Sequence, residues 1–66
     1  MSNKEVIFKI VSWNKEAITV KQVVLEAERV GISKPDTISL LTDLVHYDMT
    51  VILHGPSNTV YARQNT

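Results

Sequence analysis

The stretch TVKQVVLEAERVGISKPDTISLLTDLVHY, Thr19 to Tyr47, decides the fold of this 66-residue chain. It holds two amphipathic helical patterns separated by a single glycine, and each opens on a capping box. Thr19 with Gln22 opens the first and Ser33 with Asp36 the second: the hydroxyl takes an orphan backbone N–H, while the third residue reaches back toward the cap. In the first pattern Val20, Val23, Val24, Ala27 and Val30 share one face, with Lys21, Gln22, Glu26, Glu28 and Arg29 around the rest. Gly31 ends it, being the residue that enters the left-handed conformation at little cost. In the second, Pro35 is tolerated in the first turn because its missing N–H would lack a helical partner anyway. This helix runs to about Tyr47. It buries Ile38, Leu41, Leu44 and Val45, and leaves Pro35, Ser39, Thr42, Asp43 and His46 on the opposite face.

Working outward, Val6, Ile7, Ile10 and Val11 fall on the stripe of an earlier helix, Asn3 to Trp13. Trp13 and Phe8 read as core or core-edge side chains. The pattern breaks at Asn14-Lys15-Glu16, and Ala17-Ile18 is a short extended piece suited to pairing as a third strand. After the central helices, Met49 to Leu53 is β-rich, Gly55-Pro56-Ser57-Asn58 carries turn chemistry, and Thr59 to Arg63 is a second strand. The order is helix, strand, helix, helix, hairpin. It predicts an α+β fold: one winged helix-turn-helix domain over residues 1–66, with three helices and a short hairpin completed by Ala17-Ile18.

Composition narrows what such a domain can do. Ordering a chain of this size costs on the order of 100 kcal/mol, so nearly all its apolar surface must be buried, and little remains for a catalytic cleft. Seven Lys and Arg balance seven Asp and Glu, which removes any global attraction to nucleic acid or anionic membrane. The chain has no cysteine, hence no disulfide or thiolate metal ligand. No stretch approaches the roughly 20 apolar residues of a membrane span, and the N-terminus lacks a signal-peptide pattern. These features predict a soluble, cytoplasmic domain with no membrane contact.

The run Val20 to Leu44 resembles the C-terminal winged-helix domain of archaeal MCM replicative helicases. The matching residues are Glu26, Ala27, Gly31 and Ile32 at the turn and Leu40, Leu41, Asp43 and Leu44 on the following stripe, with Tyr61 where the family places an aromatic in its last strand. The resemblance implies a regulatory domain in DNA replication, one that modulates the ATPase and contacts the helicase body or initiation factors. Two departures stand out. Asp48 occupies the place of a family glycine after the third helix, so Asp48 is expected in the left-handed conformation, and Asp48→Gly to be neutral or stabilising. The hairpin is also longer and more apolar than the family norm. The start at Met1 with no ATPase domain fits either an excised piece or a small free-standing archaeal or viral protein.

Two functions compete. DNA binding is the default for the fold, and its candidate contacts are Lys34, Ser39, Thr42 and His46 on or beside the third helix, with His54 and Arg63 on the wing. Against it, Lys34 faces three acids, Asp36, Asp43 and Asp48, which repel phosphate unless His46 is protonated. Weak DNA contact is therefore the most that this face suggests, and a stand-alone, dimeric transcriptional regulator is the alternative reading. Protein docking is the stronger one, because the MTVIL run places apolar groups on both faces of a strand that has only one face to cover; Met49, Val51 and Leu53 are its candidates. That strand could also pair with its copy in a homodimer. No nucleophile, base and orienter arrangement, paired carboxylate or phosphate loop is evident, so neither an enzyme nor a cofactor is expected. His46, Asp48 and His54 match no ligand signature and read as ordinary surface side chains rather than a metal site.

Overall fold

The computed structural model describes residues 1–14 and 16–64; the break expected at Asn14-Lys15-Glu16 falls partly on residue 15, outside the described residues. The elements are α1 (Asn3–Trp13), β1 (Ile18–Thr19), α2 (Val20–Arg29), α3 (Lys34–His46), β2 (Val51–His54) and β3 (Thr59–Ala62). A single 3-10 turn, Gly55–Ser57, joins the last two strands. The sheet is antiparallel in the order β1-β3-β2, with Ile18 opposite Val60 and Val51 opposite Ala62. This is the winged-helix arrangement that the sequence predicts. No helix is long and apolar enough to cross a membrane.

A hydroxyl caps each helix: the backbone N–H groups of Glu5, Gln22 and Asp36 donate to Ser2 Oγ (3.2 Å), Thr19 Oγ1 (3.1 Å) and Ser33 Oγ (3.3 Å). The reciprocal half of the first capping box does not form. Gln22 turns along the helix instead and donates to Glu26 Oε1 at 3.0 Å, an i,i+4 bond to a charged acceptor.

Between α2 and α3 the chain reverses through a Schellman turn. Gly31 N–H donates to Glu28 O (3.1 Å) and Ile32 N–H to Ala27 O (3.0 Å), with Gly31 at φ +86°. A Cβ at Gly31 would meet nothing within 4 Å, so its backbone conformation alone demands glycine. Ala27 and Ile32, the two ends of the longer bond, are both buried and lock the turn to the core.

The core gathers Ile7 and Val11 of α1, Val23 and Ala27 of α2, Leu41 and Leu44 of α3, and Ile18, Ile32, Val51 and Val60. Most are β-branched, with few rotamers to lose on folding, which suits a domain with little burial to spare. The stripes hold with three corrections. Trp13, expected at the core edge, is 84% exposed, and Val30 at the α2 C-cap is 62% exposed. Ile38 is 40% exposed, and its expected place is taken by Thr37, which is fully buried. The contact face of α3 is thus Thr37, Leu41 and Leu44, an i, i+4, i+7 stripe. Thr37 can sit there because its hydroxyl donates to Ser33 O at 2.9 Å.

The exit from α3 differs from expectation as well. Met49, not Asp48, takes the left-handed conformation (φ 57°), and Thr50 N–H returns to Leu44 O at 3.1 Å. Asp48 pairs with Lys4 of α1 at 2.8 Å. The positive φ therefore falls one residue later than the family glycine suggests. At the far end of the hairpin Asn58 is left-handed (φ 52°), and its carbonyl accepts the Val20 N–H at 3.0 Å, fastening the wing to the start of α2.

Leu41→Ala should cost about 2 to 5 kcal/mol by opening a core cavity, enough to abolish cooperative thermal unfolding in a domain this small. Met49→Gly should raise the melting temperature by a few degrees, through relief of roughly 1 kcal/mol of left-handed strain. Asp48→Gly, the substitution favoured by sequence alone, should lower it, because it removes the Lys4 partner and relieves nothing.

Candidate functional site

The outward face of α3 and the inner edge of β2 frame a shallow groove of 200 Å³. Helical spacing places Ile38, Thr42 and His46 in one row along its α3 wall. Leu53 of β2 and Asn58 of the turn form the opposite wall, and Leu41, Val45 and Val60 lie beneath. No Lys, Arg, Asp or Glu is among the residues lining it. The Thr42 hydroxyl is committed inward to Ile38 O at 2.9 Å. His46 and Asn58 are thus the polar side chains this groove offers, among walls that are mostly aliphatic.

The acids expected to oppose phosphate lie elsewhere. Asp43 is half-buried, and with Asp48 it acts on Lys4 of α1. A hydrogen bond to Asp48 is the largest influence on the Lys4 ammonium; partial desolvation opposes it, and the attraction of Asp48 and then Asp43 adds to it, so that the pKa is raised above the ordinary 10.5. The pair joins the start of α1 to the exit of α3, beside a cleft that includes Phe8, Leu44 and Thr50. Asp36, in the first turn of α3, lines none of the described clefts, and the groove face is consequently neutral rather than acidic.

The sequence candidates separate on this surface. Of the proposed nucleic-acid contacts, only Thr42 and His46 line the groove; Lys34, Ser39, His54 and Arg63 are exposed outside it. His54 stands at the turn end of the hairpin, where it pairs with Thr59, and Arg63 lies past the other end, its N–H donating to Thr50 O. The four-residue strand between them spans about 10 Å, so the two cations form no common cluster. His54 Nδ1 lies 2.8 Å from Ser57 Oγ, itself 2.8 Å from Thr59 Oγ1. This chain of polar groups closes the wing tip, and neither His54 nor Ser57 lines a described cleft.

The docking candidates divide too. Val51 is 1% exposed and belongs to the core, because β2 turns it under α3. Leu53 shares that sheet face but lies beyond the cover of the helix, and it is 44% exposed on the groove wall. Met49 is exposed on the α3–β2 turn. Beside it Tyr47 is 80% exposed, an aromatic that helical periodicity alone leaves unmarked because it sits at the cap, where the periodic pattern stops. Ile52 stands opposite Tyr61 in the register and is half-buried. His46, Asp48 and His54 do not converge; the described residues hold no group of three His, Cys, Asp or Glu able to share a metal.

The chain matches no family model, no curated protein and no solved structure.

Folding tightens the hold of Lys4 on its proton. The stabilisation is therefore complete below the ordinary pKa of 10.5 and is lost as pH rises through the higher folded value. In urea denaturation the wild type should exceed Asp48→Asn in stability from neutral pH up to about 10.5, and the two should converge as pH rises through the higher folded value. Added salt should narrow the difference at neutral pH.

Proposed function

We propose that this winged helix is a regulatory or recruiting module that binds another protein through the α3–hairpin face and has at most weak contact with DNA. The observation that carries the reading is the groove without formal charge between α3 and β2, bordered by exposed Ile38 and Leu53, with Tyr47 and Met49 exposed on the adjoining turn. Each such side chain gains up to about 1.5 to 3 kcal/mol when a partner buries it fully, and partly exposed ones gain less. The four together supply the apolar centre of a modest interface, with the polar residues around them as a rim.

DNA would gain much less here. A dedicated binder neutralises roughly 6 to 10 phosphates, and each contributes about −0.9 to the salt slope. Lys34 and Arg63 are the only fixed cations among the candidate contacts, and together they provide a slope of about −1.8. The likeness of Val20 to Leu44 to the MCM C-terminal domain supports a place in DNA replication, with a helicase body or an initiation factor as partner.

The test is a titration of isotope-labelled domain with duplex and single-stranded DNA at low and near-physiological salt, following backbone amide shifts. The expected result is no localised shift even at low salt, where phosphate contacts are strongest. Shifts on Lys34, Thr42, His46 and the hairpin that fade steeply with salt would replace the docking reading with a DNA-binding regulator.

A further inference from the structure

We propose that the cleft between α1 and α2 is a second docking site, one that accepts a short amphipathic helix of a partner protein with acidic residues along its flanks. The cleft measures 660 Å³ and shares no lining residue with the α3–hairpin groove. Its α1 wall is Val6, Lys9, Ile10 and Trp13, spaced i, i+3, i+4, i+7; its α2 wall is Gln22, Glu26, Arg29 and Val30, spaced i, i+4, i+7, i+8. Each wall is therefore one continuous helical stripe about 11 Å long, the length of two turns of a third helix laid between them. Ile18 closes the floor.

Two features identify the occupant as apolar on its inner face. Trp13, the only tryptophan in the chain, stands 84% exposed at one rim, and Val30 is 62% exposed on the other wall. In a chain with so little apolar surface to spend, two such groups bordering one cleft are large unburied contributions, and a helix carrying apolar residues at i, i+3, i+4 and i+7 would cover both.

The rim charges identify the flanks. Among the described residues Lys9 has no carboxylate within 4.0 Å, and Arg29 has only a 3.8 Å contact with Glu26. Glu26 is half-buried, and the oxygen facing Arg29 already accepts the Gln22 amide at 3.0 Å. Glu26 keeps its charge, but Lys9 and Arg29 outnumber it among the side chains lining the cleft, so the net side-chain charge facing a partner is positive. A second copy of this chain is a poor occupant, because a twofold contact would bring two Lys9 and two Arg29 against only two committed Glu26 side chains.

Trp13 reports occupancy by itself, since no other tryptophan contributes. The probe is a synthetic alanine-based helical peptide of about four turns with Leu at i, i+3, i+4 and i+7 and Glu on both flanks, compared with a twin that carries Lys in place of Glu. The intact chain should show a saturable blue shift of Trp13 emission with the Glu peptide, and binding of the Lys twin should be at least about tenfold weaker. Lys9→Glu with Arg29→Glu, both at exposed positions, should reverse that preference while circular dichroism stays unchanged. Leu53→Ser, in the other groove, should bind the Glu peptide like the parent, so failure here leaves the α3–hairpin reading intact. The proposal is overturned by no shift with the Glu peptide, by equal binding of both peptides, or by a blue shift produced by raising protein concentration alone, which would assign the cleft to a second copy. Salt-sensitive quenching by oligothymidylate without peptide binding would also overturn it, in favour of a base-stacking surface.

Discussion

The fold depends on one backbone reversal, the turn Val30-Gly31-Ile32. Two hydrogen bonds back into the last turn of α2 fix its shape, and burial of Ala27 with Ile32 ties that shape to the core. This turn sets the angle at which α3 leaves α2, and with it which residues of α3 face inward. Everything the groove presents follows from that phase: Thr37, Leu41 and Leu44 go under, and Ile38, Thr42 and His46 come out. The carbonyl of Asn58 accepts the Val20 N–H and so ties the same unit to the wing.

A chain of this size has few apolar residues to distribute, and their placement separates structure from contact. The core is built of mostly β-branched side chains, while the two most exposed aromatics, Trp13 and Tyr47, lie at the C-terminal ends of α1 and α3. Helix ends are where a periodic stripe stops being held against the core, so a large residue there is free to serve a partner. The two clefts follow this pattern. Trp13 borders the α1–α2 cleft, and Tyr47 stands on the turn that leads into β2.

Electrostatics reshaped the functional reading most. Sequence places Asp43 and Asp48 beside Lys34, where they would repel phosphate. In the folded chain both act on Lys4, some forty positions away, because α1 packs across α3. The α3–hairpin groove is then neutral, neither repelling nor gathering phosphate, and its aliphatic walls become its main chemical character. The absence of acids there weakens one argument against DNA, yet the scarcity of clustered cations remains the stronger one.

The sequence alone determined the order of elements, the three helix starts and the glycine turn, because each is written in contacts within four or five residues: a hydroxyl before a helix, a period of 3.6, a residue that tolerates positive φ. It also identified Leu53 and Met49 as surplus apolar groups. Only the tertiary structure decided that Val51 is core, that Trp13 and Val30 border an open cleft, that Met49 rather than Asp48 takes the strained turn position, and that Asp48 is a partner of Lys4. The physical reason is the same each time. A local pattern fixes which side of an element is apolar, whereas the extent to which that side is covered depends on where another element ends, and that distance is set only when the helices and sheet are packed together.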